Sequence, residues 1–340
     1  MSNLFSPEIN KDTSFIIFDL EWNQPYSSIN YPFDTHKFNG EIIEIGAVKM
    51  KFNDSMELVV TDKLSLDIKP EYYRTLHFQV KKITHKTDED LKKGISFKEG
   101  YRQLIDLCDN NSILVTWGNG DIDMLKLNLE LFGCDTTIGV SYLDLQPMFS
   151  VFTEKVYAQH SVEFAVDFFN IDKSVDFHSA YADAYYTSMI MRRLFADYGC
   201  DFVSKECAGA TIDPDMPRSF TRMTVPDKNL MHAYEDKQKW NRLCPVCQKK
   251  NKTVISSFRI QKSAYALYEC SEHGRFYIRT KVKKNKEGLY YGAIVKRMCT
   301  TQDYMLIKNK KKEYDIYGSD GKPPCLNEGT KIDNVKCEEK

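Results

Sequence analysis

The chain has no hydrophobic run approaching the ~18 residues that a membrane-spanning helix requires, so no membrane span is expected. Residues Met1 to Thr13 hold no apolar stretch of the kind found in a secretory leader, and no signal peptide is expected. A whole-chain net charge of −1 gives no case for bulk attraction to nucleic acid. Internal repeats are not apparent. Ten cysteines without a leader argue against a disulfide frame. They point to free or metal-bound thiols in a reducing compartment, and the expected location is cytoplasmic.

What is present is a chain of 340 residues, 42% hydrophobic and 28% charged, long enough for two domains. The even net charge hides an asymmetry. Lys281 to Lys312 holds ten basic residues against two acidic ones, a local +8 that leaves the remainder at about −9. An acidic body with a basic C-terminal module suits a metal site plus a grip on nucleic acid, and the plainer reading, a solvated tail, stands level with it for Lys308-Asn309-Lys310-Lys311-Lys312 alone. Strands are predicted over 14–22, 41–50, 57–68 and 113–117, and helices over 96–108, from 121 to a stop at Gly133, over 161–169 and over 179–198. Strands first, then strand–helix alternation, give a mixed α/β sheet flanked by helices. Pro214, Pro217 and Pro226, in a stretch without apolar period, mark a boundary. The expected organisation is a first unit over 12–207, a linker over 208–240, a small β-rich module over 241–315 and a flexible tail over 316–340.

The apolar run Ser14-Phe15-Ile16-Ile17-Phe18-Asp19-Leu20-Glu21-Trp22 is interrupted by two carboxylates. Side chains two apart on a strand share a face, so Asp19 and Glu21 stand side by side. Like charges that close need a cation or a shared proton, and both solutions are open at this point. Asp121 follows the break Trp117-Gly118-Asn119-Gly120, where a carboxylate suits either a ligand site at a sheet edge or a helix N-cap. Asp183 lies in a small-residue helical segment, where a buried acid needs a partner. His178 precedes that helix and offers an imidazole able to take a proton from water.

In order, Asp-x-Glu on a first strand, Asp after a Trp-Gly turn and His-x4-Asp on a late helix resemble the DEDDh three-prime-to-five-prime exonucleases. These have an RNase T-like, RNase H-like fold. The resemblance covers roughly 14–200 and is closest to the Eri-1/KapD-like subgroup. Glu41-Ile42-Ile43-Glu44-Ile45-Gly46, Ile83-Thr84-His85, Gly94-Ile95-Ser96-Phe97 and Val115-Thr116-Trp117-Gly118 add to it. It implies Asp19, Glu21, Asp121 and Asp183 as ligands of two divalent ions, Mg²⁺ or Mn²⁺, with His178 as general base. It also sets Leu20, Trp22, Thr84 and His85 beside the terminal nucleotide. Trp22 reads equally as a stacking platform and as packing, and Trp117 as core. Glu44 is not expected to be a ligand.

Cys244-Pro245-Val246-Cys247 and Cys270-Ser271-Glu272-His273 form two C-x2-C/H knuckles with 22 residues between them. Two such pairs in a short β-rich segment look like a zinc ribbon, with Cys244, Cys247, Cys270 and His273 closing a structural Zn²⁺ site. Cys108, Cys134, Cys200, Cys207, Cys299, Cys325 and Cys337 show no usable spacing. The ribbon and the 281–312 stretch suggest nucleic-acid binding, with Tyr290 or Tyr291 stacking, or else protein docking. The function expected from the resemblance is a metal-dependent 3'–5' exonuclease acting on single-stranded 3' ends, RNA favoured. The alternatives are the same chemistry on single-stranded DNA and a catalytically idle nucleic-acid-binding adaptor. No membrane partner is expected.

Overall fold

The computed structural model describes residues 7–154, 158–175, 177–216, 220–224, 226–234 and 243–320. Three antiparallel strands open the chain: β1 (Ser14–Asn23), β2 (Glu41–Phe52) and β3 (Leu58–Asp67). Helices α1 (Phe78–Thr84), α2 (Asp88–Lys92) and α3 (Phe97–Asp106) lead to β4 (Ser112–Thr116), which lies parallel to β1. Helix α4 (Gly120–Leu131) then returns the chain to β5 (Ser141–Asp144), parallel to β4. The sheet order is β3-β2-β1-β4-β5. Helices α5 (Gln146–Glu154), α6 (Val162–Phe168), α7 (Ala180–Tyr198) and α8 (Cys200–Ala210) complete this unit.

β1 is buried on both faces, and its period of two sorts its side chains into two cores. Phe15 and Ile17 join the cluster with Val48, Met191 and Leu194 under α7. Ile16, Phe18 and Leu20 join Leu114, Leu125 and Leu129 under α4. Each such side chain is worth about 1.5–3 kcal/mol on burial. Asp19 and Glu21 continue the α7 side of the strand, past the point where the core ends.

Gly46 pairs with Asp19 across the β1–β2 ladder. A Cβ there would be driven into the Ala180–Tyr181 peptide, so only glycine lets the N-terminus of α7 rest on β2. Immediately after Glu21 the pairing shifts by one residue, a bulge that re-aims the strand end.

The second sheet is wholly antiparallel, in the order β6-β10-β9-β8-β7. Its strands are β6 (Phe220–Met223), β7 (Lys252–Ile260), β8 (Ser263–Cys270), β9 (Gly274–Lys284) and β10 (Tyr290–Met298). Helix α9 (Thr301–Tyr317) follows. One face carries Phe276, Ile278, Ile294 and Met298 with the cysteine knuckles. The other packs Phe258, Leu267 and Tyr277 against Ile307 of α9.

The segment expected as a linker contains the end of α8 and, in β6, an edge strand of this sheet. The β-rich module contains α9, which runs to Tyr317 before a 3-10 turn at Gly318–Asp320. The expected flexible tail therefore begins inside a helix, and residues 321–340 lie outside the described residues. Among the described residues, no helix is long and apolar enough to cross a membrane.

The two sheets are joined through α9. Thr301 Oγ1 donates to Ala210 O at 2.9 Å and accepts from Asp144 N at 3.2 Å. Gln302 Nε2 donates to Asp144 Oδ2 at 3.1 Å. Met305 is buried in the α7-side core, and Lys308 pairs with Glu206.

Candidate active site

Asp19, Glu21 and Asp183 bring one carboxylate oxygen each to within 4.8 Å of one another. Asp19 and Glu21 come from the last turns of the β1 pleat. Asp183 comes from the first turn of α7, whose start is capped by Ser179 Oγ accepting from Ala182 N. Asp121 arrives from α4. The helix N-cap is Asn119, without a side-chain cap, so the N-cap reading of Asp121 does not hold. Instead Asp121 Oδ1 accepts the Leu20 N–H at 3.1 Å and ties α4 to β1 between the two acids.

The four carboxylates line one cleft of about 390 Å³ with Leu20, Trp22, Thr84 and Trp117. Burial and mutual repulsion raise all four pKa values. Asp19 is pushed well above the usual carboxylate range by burial, then by Asp121 and Asp183. Glu21 is pushed up to about 8 by burial and by Glu44, its cross-strand partner. Asp121 rises to about 7 through burial, against the Leu20 N–H, which holds it down. Asp183 rises to about 6 through burial, with His178 opposing.

This oxygen-only donor set, crowded and proton-hungry, fits divalent cations of the Mg²⁺ or Mn²⁺ type. A cation relieves the repulsion that otherwise forces protons onto the cleft.

His178 stands at the rim. It is exposed, sits in the left-handed region at φ 73° and donates its backbone N–H to the Asp183 carboxylate. Its ring lines an adjoining cavity of about 760 Å³ with Gln24, Lys82, Ile83 and His85. Leu20 is buried and Trp22 half-buried, the latter against Gly40 and Met124. Thr84 lines the carboxylate cleft, its hydroxyl donating to Val80 O at 2.9 Å. His85, at the left-handed C-cap of α1, lines the outer cavity only. Trp117 is wall as well as core: it borders the cleft, packs on Phe149 and donates Nε1–H to His160 O at 2.8 Å.

Three residues behind the cleft escaped the sequence reading or were set aside by it. Glu44 is buried opposite Glu21 and accepts the Ala180 N–H at the start of α7. Lys86 Nζ lies 3.1 Å from Glu44 Oε2 and 2.5 Å from Asp67 Oδ1. Asp144, fully buried, accepts the Gly118 N–H at 2.8 Å and the Gln146 N–H at 3.1 Å. It thereby holds the turn that launches Asp121.

A model of the RNase_T exonuclease family matches residues 16–191, just over half of the chain. The chain belongs to this family. A curated relative, the probable 3'-5' exonuclease KapD of Bacillus subtilis, is 30% identical over 116 residues. That match covers 34% of this chain and 52% of KapD, so the chain spans about half the length of the relative it matches. Among solved structures, the nuclease domain of 3'hExo, described as a DEDDh family member bound to rAMP, is similar at TM-score 0.46 and 18% identity. The similarity covers 54% of this chain and 92% of that domain. Escherichia coli Exonuclease I with a dA16 oligonucleotide is similar at TM-score 0.49 and 11% identity, over 88% of this chain and 68% of that one.

The second sheet holds a different donor set. Cys247 Sγ and Cys270 Sγ are 3.7 Å apart, and His273 Nδ1 lies 3.6 Å from Cys270 Sγ and 3.8 Å from Cys244 Sγ. A disulfide needs S–S near ~2.0 Å, so these thiols are not bonded. Zn–S near ~2.3 Å and Zn–N near ~2.0 Å imply tetrahedral edges of roughly 3.5–3.8 Å. The observed spacings fit a closed zinc site. The Val246 N–H, 3.4 Å from Cys244 Sγ, supplies the kind of donor that thiolates accept.

Proposed function

We propose that this protein is a metal-dependent 3'–5' exonuclease that removes nucleotides from single-stranded 3' ends, RNA in preference to DNA. The observation that carries it is the convergence of Asp19, Glu21 and Asp183 on one oxygen cluster, with Asp121 alongside, in a chain of an exonuclease family. KapD, read as a 3'-5' exonuclease, supports the direction of cleavage. The RNA preference rests on likeness to its subgroup.

Asp19, Glu21, Asp121 and Asp183 would hold two divalent ions, which when bound lower the pKa of water and share the charge of a scissile phosphate. The protein's own groups do the rest. His178 takes the proton of the attacking water from the rim, where it is free to reach the cleft or withdraw to solvent. Leu20 and Trp22 form an apolar wall for the terminal base, Thr84 offers a hydroxyl, and His85 meets the strand further out. The cleft lies within the size range of small-ligand sites, about 300–1,000 Å³, and its adjoining cavity has room for the next nucleotide. In the second sheet Cys244, Cys247, Cys270 and His273 would hold a structural Zn²⁺.

The test is cleavage of matched 5'-labelled RNA and DNA oligonucleotides with Mg²⁺ or Mn²⁺ and with chelator. Metal-dependent ladders shortening from the 3' end, faster on RNA, are expected. A preference for DNA overturns the RNA assignment, and intact oligonucleotides across pH 6–9 overturn the enzyme.

A further inference from the structure

The second sheet has one fully buried face and one half-open face. On β9 and β10 the inward residues Phe276, Ile278, Thr280 and Val282 and Gly292, Ile294, Lys296 and Met298 are all buried. The alternate residues point the other way. Arg279, Lys281 and Lys283 stand in a row on β9, facing Val295, Ala293 and Tyr291 of β10 in turn. Lys281 and Lys283 are exposed, and Arg279 and Tyr291 half-exposed. Helix α9 covers β7 and β8 on this side and stops short of the row, its Ile307 packing with Phe258, Leu267 and Tyr277.

None of the three cations has an ion pair or hydrogen bond among the described residues, and the Arg279 Nε is buried without a partner. Elsewhere the chain pairs its cations readily, as Arg297 with Asp303 at 2.6 Å at the end of the same face. Cations two apart on a strand repeat at roughly 6.6 Å, close to the phosphate repeat of an extended single strand.

We propose that the face formed by Arg279, Lys281, Lys283 and Tyr291 binds the body of a single-stranded nucleic acid, away from the end that enters the carboxylate cleft. The three cations track successive phosphates. Tyr291 offers a ring for one base, and Ala293 and Val295 keep the floor between them low. The sheet's opposite face, closed over the knuckles, keeps the strand flat and the cations in register. The proposal rests on the exonuclease reading only for the choice of a single-stranded probe.

The test uses the full chain carrying Asp19→Asn, so that a fluorescent 20-nucleotide RNA survives. Binding is followed by anisotropy from low to high salt. The added substitutions R279Q, K281Q and K283Q are expected to weaken binding at least tenfold and to flatten the log–log salt slope by about 2, at ~0.7 per phosphate contact. Y291A is expected to weaken it roughly tenfold with the slope unchanged. In a wild-type background the same surface variants should hydrolyse a trinucleotide at the normal rate and melt at the normal temperature. Unchanged affinity and slope in a triple variant that melts normally overturn the proposal. So does displacement of RNA by poly-aspartate as effective as by unlabelled RNA at equal charge, which assigns the face to an acidic protein. Because binding is read without turnover, a chain that binds but never cleaves would fail the exonuclease reading and leave this one standing.

Discussion

Asp19 is the residue on which most of the electrostatic cost of the cleft falls, with burial and four neighbouring carboxylates all acting against its charge. Its sign in the pH dependence follows directly. Unfolded, the cleft carboxylates ionise near their ordinary values of 3.8 and 4.5, whereas in the fold Asp183, Asp121 and Glu21 hold protons to about 6, 7 and 8. Between about pH 4 and pH 8 the native state therefore binds more protons than the unfolded state, and stability falls as pH rises. Protein kept in zinc but free of Mg²⁺ and Mn²⁺ should lose melting temperature from pH 5 to 8 and recover it on adding either ion. A flat profile would show that the cleft is not strained. Asp19→Asn should raise the melting temperature of the Mg²⁺-free protein at pH 8, because it removes a charge that burial and four carboxylates oppose. The same change should cost roughly a hundredfold or more in cleavage. Gly46, across the ladder, is as constrained sterically as Asp19 is electrically. Gly46→Ala should cost about 3 kcal/mol or more and displace Asp183. A normal denaturation midpoint for this variant would mean that α7 does not need the close approach.

At the level of elements, the strands and helices around the cleft were legible because each keeps a single strong period. β1 alternates, α7 presents a continuous small and apolar face, and Gly133 closes α4 in the left-handed region at φ 64°. Among the elements missed are β5 and α9. β5 is four residues long and wholly buried, too short for a period to show. α9 reads as a basic run because Met305 turns to the first core and Ile307 to the second sheet, which leaves no single apolar stripe. Its start was signalled, since Thr300 and Asp303 form a capping box. The carboxylates and knuckles were legible as donors and Glu44 was set aside as a non-ligand, while Lys86 and Asp144 gave no signal because most of their partners lie far away in sequence. α9 bears on the chemistry through Gln302, whose amide meets the Asp144 carboxylate that holds Gly118. Gln302→Leu should cost about 1–2 kcal/mol and lower kcat with KM held, as the turn carrying Asp121 loosens. Loss of melting temperature with kcat intact would confine α9 to a scaffold role.

Across the whole molecule, the knuckles and the exonuclease unit share one seam. Arg275, two residues from His273, donates to Gly209 O and lies over the Tyr304 ring at 5.0 Å, while its own carbonyl accepts the Cys299 N–H at 2.8 Å. A disturbance of the knuckles thus reaches α8 and α9 directly. Cys270→Ser should release zinc, read as loss of one equivalent per chain by native mass spectrometry. It should also lower the melting temperature of the full chain in one transition. A separate early transition, with the exonuclease unit melting as before, would show that the seam transmits nothing.

Strand β1 carries its chemistry and its packing in the same parity. Odd positions supply Phe15, Ile17, Asp19 and Glu21, and even positions supply Ile16, Phe18 and Leu20. Losing or gaining one codon upstream of Asp19 within the strand would swap the two sets, turning carboxylates into the α4 core and aromatic bulk into the cleft. Small insertions and deletions here have no graded outcome. Variation that keeps the protein folded must arrive as substitution, and the side of the strand on which this acid pair stands is protected by the cost of misfolding as well as by any need for activity.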